Sequence, residues 1–200
     1  MAKEFEKLNI KGLEDLNQLD EKSRKLALDI LKEYSDTGYS ETMNKIVYDD
    51  YKEIPVDIET FLHDPTYLGK GLVNQEGKFT VFPYWVNVLK KIFPDNVTTA
   101  YRTLVLSGAI GLGKSFVAVL CILYQLYRML CLKDPYLHYG LQPIDKITFS
   151  VMNITMEAAK GVAWDKLQQL VQSSPWFMAH GRVSGRDTLE WQPLPGIELI

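Results

Sequence analysis

Residues 108–115 read Gly-Ala-Ile-Gly-Leu-Gly-Lys-Ser, and no other run constrains the chain as much. Gly108, Gly113, Lys114 and Ser115 meet the spacing G-x-x-x-x-G-K-[ST] in full. That spacing suits a loop whose backbone N–H groups turn inward around a phosphate. Glycine permits positive φ and puts no side chain in the way. Gly111 adds a third such position. A helix is expected to start near Gly113 and Lys114, with the positive end of its dipole facing the anion. Lys114 would reach the β- and γ-phosphate oxygens as the catalytic cation, and Ser115 would offer its hydroxyl to Mg²⁺. Ala109, Ile110 and Leu112 complete the nucleotide-binding loop. ATP and Mg²⁺ are therefore the implied cofactors, and the loop alone does not say what ATP would drive.

The flanks supply the context this motif needs. "RTLVLSG" (102–108) is β-rich and reads as a strand entering the loop. "FVAVLCILYQLYRMLCL" (116–132) follows, in a helix expected over 114–131. Gln125 and Arg128 interrupt this apolar window, and a membrane span needs about 20 apolar residues. A buried helix behind the loop explains it better. "DKITFSVMNI" (145–154) reads as a buried parallel strand, 155–174 as a helix capped by Thr155 or Asn153, and "GIELI" (196–200) as a third strand. Pro175 stops the helix. The alternation predicts an α/β fold, a parallel sheet flanked by helices. Such a sheet would be small if it ended at Ile200, so the chain is expected to be part of a longer protein.

Upstream the pattern changes. Leu16, Leu19, Leu26 and Ile30 recur at helical spacing among charged residues, and "SDTGYS" stops that helix. A helical N-terminal extension is expected over 1–55 and the ATPase domain over 56–200. Residues 53–79 are rich in Pro, Gly and Asp and should be largely loop with short helical turns. In "FPYWVNVLKKIF", Pro83 suits a first helical position, Trp85, Val88, Leu89 and Ile92 share a face, and Pro94 ends the helix. Phe82, Tyr84 and Trp85 are candidates to stack on adenine. Core packing is the competing role for each of them.

Composition excludes several alternatives. The 200 residues carry a net charge of −3 and no basic cluster. Any DNA contact would therefore use a local patch, a partner subunit or a further segment. The charged N-terminus has no apolar signal region, which suggests a cytosolic protein. Cys121 and Cys131 read as core thiols, and the three histidines show no metal-ligand spacing.

Several stretches together resemble the N-terminal ATPase region of tailed-phage terminase large subunits, the DNA-packaging motors. They are "VDIETFLHDPTYLG", "FPYWVNVLKKIFP", "LVLSGAIGLGKSFVAVL", "YRMLCLKDPYLHYGL", and "KITFSVMNIT" followed by "SSPWFM". The resemblance covers most of 55–200. It implies a P-loop NTPase fold of RecA-like, additional-strand type, with ATP hydrolysis driving double-stranded DNA into a procapsid. It also implies a portal protein and a small terminase subunit as partners, a homo-oligomeric ring (a pentamer), the host cytoplasm as location, and no membrane. A nuclease domain would follow.

Two departures stand out. Ala109, Ile110 and Leu112 are apolar where relatives often carry an arginine, so an arginine finger would come from elsewhere. Arg102, Arg182 and Arg186 are options, each more simply read as a surface charge. The acids that hold Mg²⁺ and orient water are not recognisable either: Asn153 stands where one is wanted, and Glu198 lies within a strand. The alternatives are a helicase-like or AAA+ ATPase, a small-molecule kinase, and a nucleotide-binding assembly module without turnover.

Overall fold

The computed structural model of the chain describes residues 20–37, 40, 42, 48–142, 144–152, 160–184, 190–193 and 197–199. The chain divides into two compact units, Met1–Tyr51 and Lys52–Ile200.

In the first unit, α1 (Glu21–Thr37) is amphipathic. Asp20 accepts from the Lys22 and Ser23 amides at its start, satisfying N–H groups that no helical carbonyl can reach. Glu33 accepts from Ser40 Oγ at 2.6 Å and Thr42 Oγ1 at 2.7 Å, folding the following chain back on the helix. Leu26, expected on the apolar face, is exposed, and the less exposed side carries Ala27, Leu28, Ile30 and Leu31. Leu16, Leu19 and the rest of 1–19 lie outside the described residues.

The second unit is built around α4 (Lys114–Leu130), which follows α2 (Ile58–His63) and α3 (Pro83–Ile92). Val117, Val119, Leu120, Leu123, Tyr124, Leu126, Tyr127, Met129 and Leu130 of α4 are all buried, so the helix is covered on most of its circumference. A helix of this kind is stable only when other elements surround it. No helix among the described residues is long and apolar enough to cross a membrane. After α4 come α5 (Pro135–Tyr139), β1 (Ile147–Phe149), a π turn (Lys160–Trp164), α6 (Asp165–Ser173) and α7 (Pro175–Ala179). Strands β2 (Gly181–Ser184), β3 (Glu190–Pro193) and β4 (Ile197–Leu199) complete the unit.

Two small sheets form. β1 pairs with β4 in parallel, Ile147 opposite Ile197 and Phe149 opposite Leu199. β2 pairs with β3 antiparallel, Val183 opposite Trp191. The strands expected over 145–154 and 196–200 are both present but shorter, and the structure pairs them with each other in parallel. The expected strand over 102–108 is not formed. Leu104 and Val105 are exposed, Val105 at 83%, and β1 takes its hydrogen bonds from β4. β-propensity is realised only where a neighbouring strand covers the residue, and this segment has none. The expected helix over 155–174 is regular from Asp165 and ends at Ser173. Its capping candidates Asn153 and Thr155 lie outside the described residues. Pro175 closes it by opening α7, with Ser174 accepting from the Phe177 amide.

The core is aromatic. Phe61 lies 4.8 Å from the Tyr127 ring and 5.1 Å from that of Tyr124, and Trp176 meets Tyr127 edge-on at 4.7 Å. Buried hydroxyls need partners, and these find one peptide segment. Tyr124 donates to the Val56 carbonyl at 2.8 Å, while Tyr127 accepts from the Val56 amide at 2.9 Å. The loop before α2 is thereby fastened to α4. Gln168 does the same for β3: its amide group accepts from the Trp191 N–H at 2.6 Å and donates to the Trp191 carbonyl at 3.0 Å. The fully buried Trp191 ring lies against Gly181, where an added Cβ would overlap the indole at Nε1, Cε2 and Cζ2. Burial raises the Cys121 thiol to about 11 and Cys131 to about 12.

Three outcomes follow. Tyr124→Phe and Tyr127→Phe should each cost about 1–3 kcal/mol in urea unfolding, since each strands a backbone group of Val56. Gly181→Ala should cost about 1–3 kcal/mol through overpacking against Trp191. Stability should fall as pH rises above 9, because unfolded thiols ionise there while Cys121, held at about 11, stays protonated. Denaturation midpoints at pH 8 and 10 check this.

Candidate functional site

The loop before α4 turns because of its glycines. Gly108, Gly111 and Gly113 all have positive φ, at 131°, 88° and 79°. A side chain at Gly111 would meet nothing within 4 Å, so it is the conformation, not crowding, that demands glycine there. Gly113 caps α4 in the left-handed region, and its carbonyl accepts from Val117 N at 3.0 Å, starting the helix. The helix runs from Lys114 to Leu130, one residue short of the expected end. No acidic side chain lies in its first turn to compete for the positive end of the dipole.

Lys114 is the first helical residue, and its side chain folds back over the loop. Nζ donates to the Gly108 carbonyl at 2.9 Å and to the Ala109 carbonyl at 2.5 Å. The ammonium thus lies across the loop it would share with a phosphate. Ser115 follows, exposed on the first turn. Ala109, Ile110 and Leu112 are exposed apolar residues of the loop itself.

Mg²⁺ fits this arrangement in a limited way. The ion needs few protein ligands when phosphates and water supply the rest. Ser115 presents one hydroxyl beside Lys114, which is the donor the motif provides. Among the described residues, no group of three or more His, Cys, Asp or Glu could hold a metal ion. Glu198 lies within β4 opposite Thr148, and its carboxylate takes a 2.6 Å ion pair from Lys146. Arg102 and Arg182 are both exposed, and Arg186 and Asn153 lie outside the described residues.

Of the three upstream aromatics, the structure brings one against the loop. Trp85, half-buried on α3, donates from Nε1 to the Leu112 carbonyl at 2.7 Å. Tyr84 meets Trp85 edge-on at 5.1 Å and is 68% exposed, and Phe82, the cap of α3, is 65% exposed. Core packing is therefore not the role of Phe82 or Tyr84. The buried face of α3 is instead Val86, Leu89 and Ile92, with Val88 only half-buried, so the apolar stripe is rotated from the expected one.

A second anchor was not legible in the sequence. Arg128, near the end of α4, donates to the Thr98 carbonyl at 2.9 Å and to Thr99 Oγ1 at 3.0 Å. Its guanidinium also lies 5.5 Å from the Phe93 and Tyr124 ring centres. The chain leading to the loop is held from one end of α4 while the loop itself opens the other. The sequence signal was only an arginine interrupting an apolar helix, and its partners are about thirty residues away in the chain.

Comparison with known proteins agrees with this geometry. A family model described as "Uncharacterized protein MJ0330, N-terminal P-loop domain" matches residues 8–190. No curated protein and no solved structure matches the chain. A match over that range takes in the glycine loop, α4 and the parallel pairing strand β1. It identifies a P-loop domain of the nucleotide-binding NTPase class, with the α/β fold the strand–helix alternation predicts. The chain belongs to the family of the N-terminal P-loop domain of uncharacterized protein MJ0330.

Proposed function

We propose that this chain binds ATP with Mg²⁺ on the 108–115 loop and hydrolyses it as the ATPase part of a DNA-packaging motor. The observation that carries the nucleotide reading is the loop itself. Three positive-φ glycines precede a long helix, and Lys114 lies across them. In the nucleotide complex, phosphate oxygens take the place of the Gly108 and Ala109 carbonyls as acceptors for Lys114 Nζ. The N-terminal amides of α4 add donors for the same oxygens. Ser115 Oγ would hold Mg²⁺, which when bound would supply positive charge to the phosphates. Tyr84 and Phe82 serve as a stacking ledge for the adenine, a role their exposure beside the loop-bonded Trp85 supports.

The motor reading rests on the resemblance of the quoted stretches to terminase large subunits. On that reading the substrate track is double-stranded DNA, and the portal protein and small terminase subunit are the partners. The working form is a homo-oligomeric ring, a pentamer on the procapsid. The helical N-terminal extension and the ATPase domain divide near residue 55. An arginine from a neighbouring subunit serves the γ-phosphate, since the loop has none of its own.

Lys114→Ala should weaken binding of ATP and Mg²⁺ by about tenfold to a hundredfold in calorimetric titration, the loss of a charge-assisted contact. Turnover should fall with it. Unchanged affinity and turnover in this variant would overturn the nucleotide site. Double-stranded DNA should raise the rate of ATP hydrolysis measured by phosphate release. Turnover that proceeds with no response to DNA would leave an NTPase but remove the motor.

A further inference from the structure

We propose that Trp85 is a positioning residue for the phosphate loop: its indole N–H holds the Leu112–Gly113 peptide so that the Gly113 amide faces the phosphate. This rests on the reading of 108–115 as a nucleotide site.

The argument starts from one hydrogen bond. Trp85 Nε1 lies 2.7 Å from the Leu112 carbonyl oxygen, a short contact for an N–H donor. The peptide unit that carries this oxygen also carries the Gly113 N–H. In a planar trans peptide the two groups point in opposite directions. Drawing the oxygen toward α3 therefore turns the Gly113 N–H away from α3. That N–H is one of the first amides of α4, which no carbonyl of the helix can satisfy. It is a donor held ready for an external acceptor.

The anchor is needed because of where it acts. Gly113 sits at φ 79° and ψ 14°, and glycine resists rotation less than any other residue. Its own carbonyl is fixed by Val117 N at 3.0 Å, but that bond lies on the helix side and does not orient the preceding peptide. Gly111, also at positive φ, leaves the other side of Leu112 equally free to turn. Between two such glycines, the indole contact is the bond that sets the plane of the 112–113 peptide.

The arm that makes it is rigid. Trp85 stands in the first turn of α3, where Pro83 occupies the first helical position and Trp85 N bonds the Phe82 carbonyl at 2.9 Å. Val86, Leu89 and Ile92 bury the same helix. The Tyr84 ring bounds the indole edge-on. Phenylalanine at 85 would keep an aromatic ring and lose the donor. The substitution thus separates positioning from packing.

Wild-type protein and Trp85→Phe are titrated with the N-methylanthraniloyl derivative of ATP and Mg²⁺, alongside ¹⁵N amide spectra and melting curves. Trp85→Phe should bind about fivefold to tenfold more weakly at a melting temperature within a few degrees of wild type. The Gly113 amide resonance should move in nucleotide-free Trp85→Phe. The chain has four tryptophans, so four indole N–H signals are expected. The one lost in Trp85→Phe should be the one that shifts when wild type binds nucleotide. Equal affinity with an unmoved Gly113 amide would overturn the positioning role and leave the nucleotide site standing. No binding by wild type would overturn the nucleotide site, and the nucleotide-free Gly113 shift would still decide whether Trp85 orients the loop.

Discussion

Helix α4 is apolar on most of its sides, and a helix of that kind is stable only when surrounded. Nine of its residues are buried, from Val117 to Leu130. Fully burying one such side chain contributes roughly 1.5–3 kcal/mol, so the pull toward covering this helix exceeds that of any single polar contact. The aromatic cluster of Phe61, Tyr124, Tyr127, Trp176 and Phe177 forms around one face. The same burial would strand polar groups, and the aromatic and amide side chains around it meet backbone partners distant in the chain, while Arg128 Nε is buried without a hydrogen bond. The Tyr124 and Tyr127 hydroxyls take both backbone groups of Val56. Gln168 takes both backbone groups of Trp191, standing in for a neighbouring strand.

The chemistry depends on this burial at one remove. A phosphate loop must be mobile enough to turn at three glycines and fixed enough to aim its amides. α4 fixes one end through its own hydrogen-bond ladder, and Arg128 ties its other end back to Thr98 and Thr99 on the approach to the loop. Trp85 reaches the loop from α3. The loop is thus flexible in torsion and constrained at defined atoms, which is how a site keeps its geometry without being built from rigid residues.

Much of this was legible in the sequence where the signal is local. The glycine spacing at 108, 111 and 113 announces a positive-φ loop, and the structure has one. Pro83 marks the start of α3, and the apolar run after Ser115 marks α4 to within a residue. Signals that depend on a distant partner were not legible. "RTLVL" has the composition of a strand, yet Val105 is exposed, because strand propensity counts only against a neighbour. The β2–β3 pair was missed because its stability lies in Trp191 packing on Gly181 and in the Gln168 clamp, 23 residues away in the chain. Phe82 and Tyr84 read as core packing or as adenine-stacking candidates, and hydrophobicity alone does not separate the two.

By itself the sequence determined the form of the P-loop. Backbone torsion at glycine, the start of a helix and the reach of a lysine are properties of a few consecutive residues. It likewise determined that the helix behind the loop must be buried, since its apolar side chains leave no other stable state. Only the tertiary structure decided which side chains hold that loop in place. Trp85 is 27 residues from Leu112, and Arg128 is 30 from Thr98. Such contacts come from how helices pack against one another, and packing registers the shapes of both partners at once, which no local reading of either can contain.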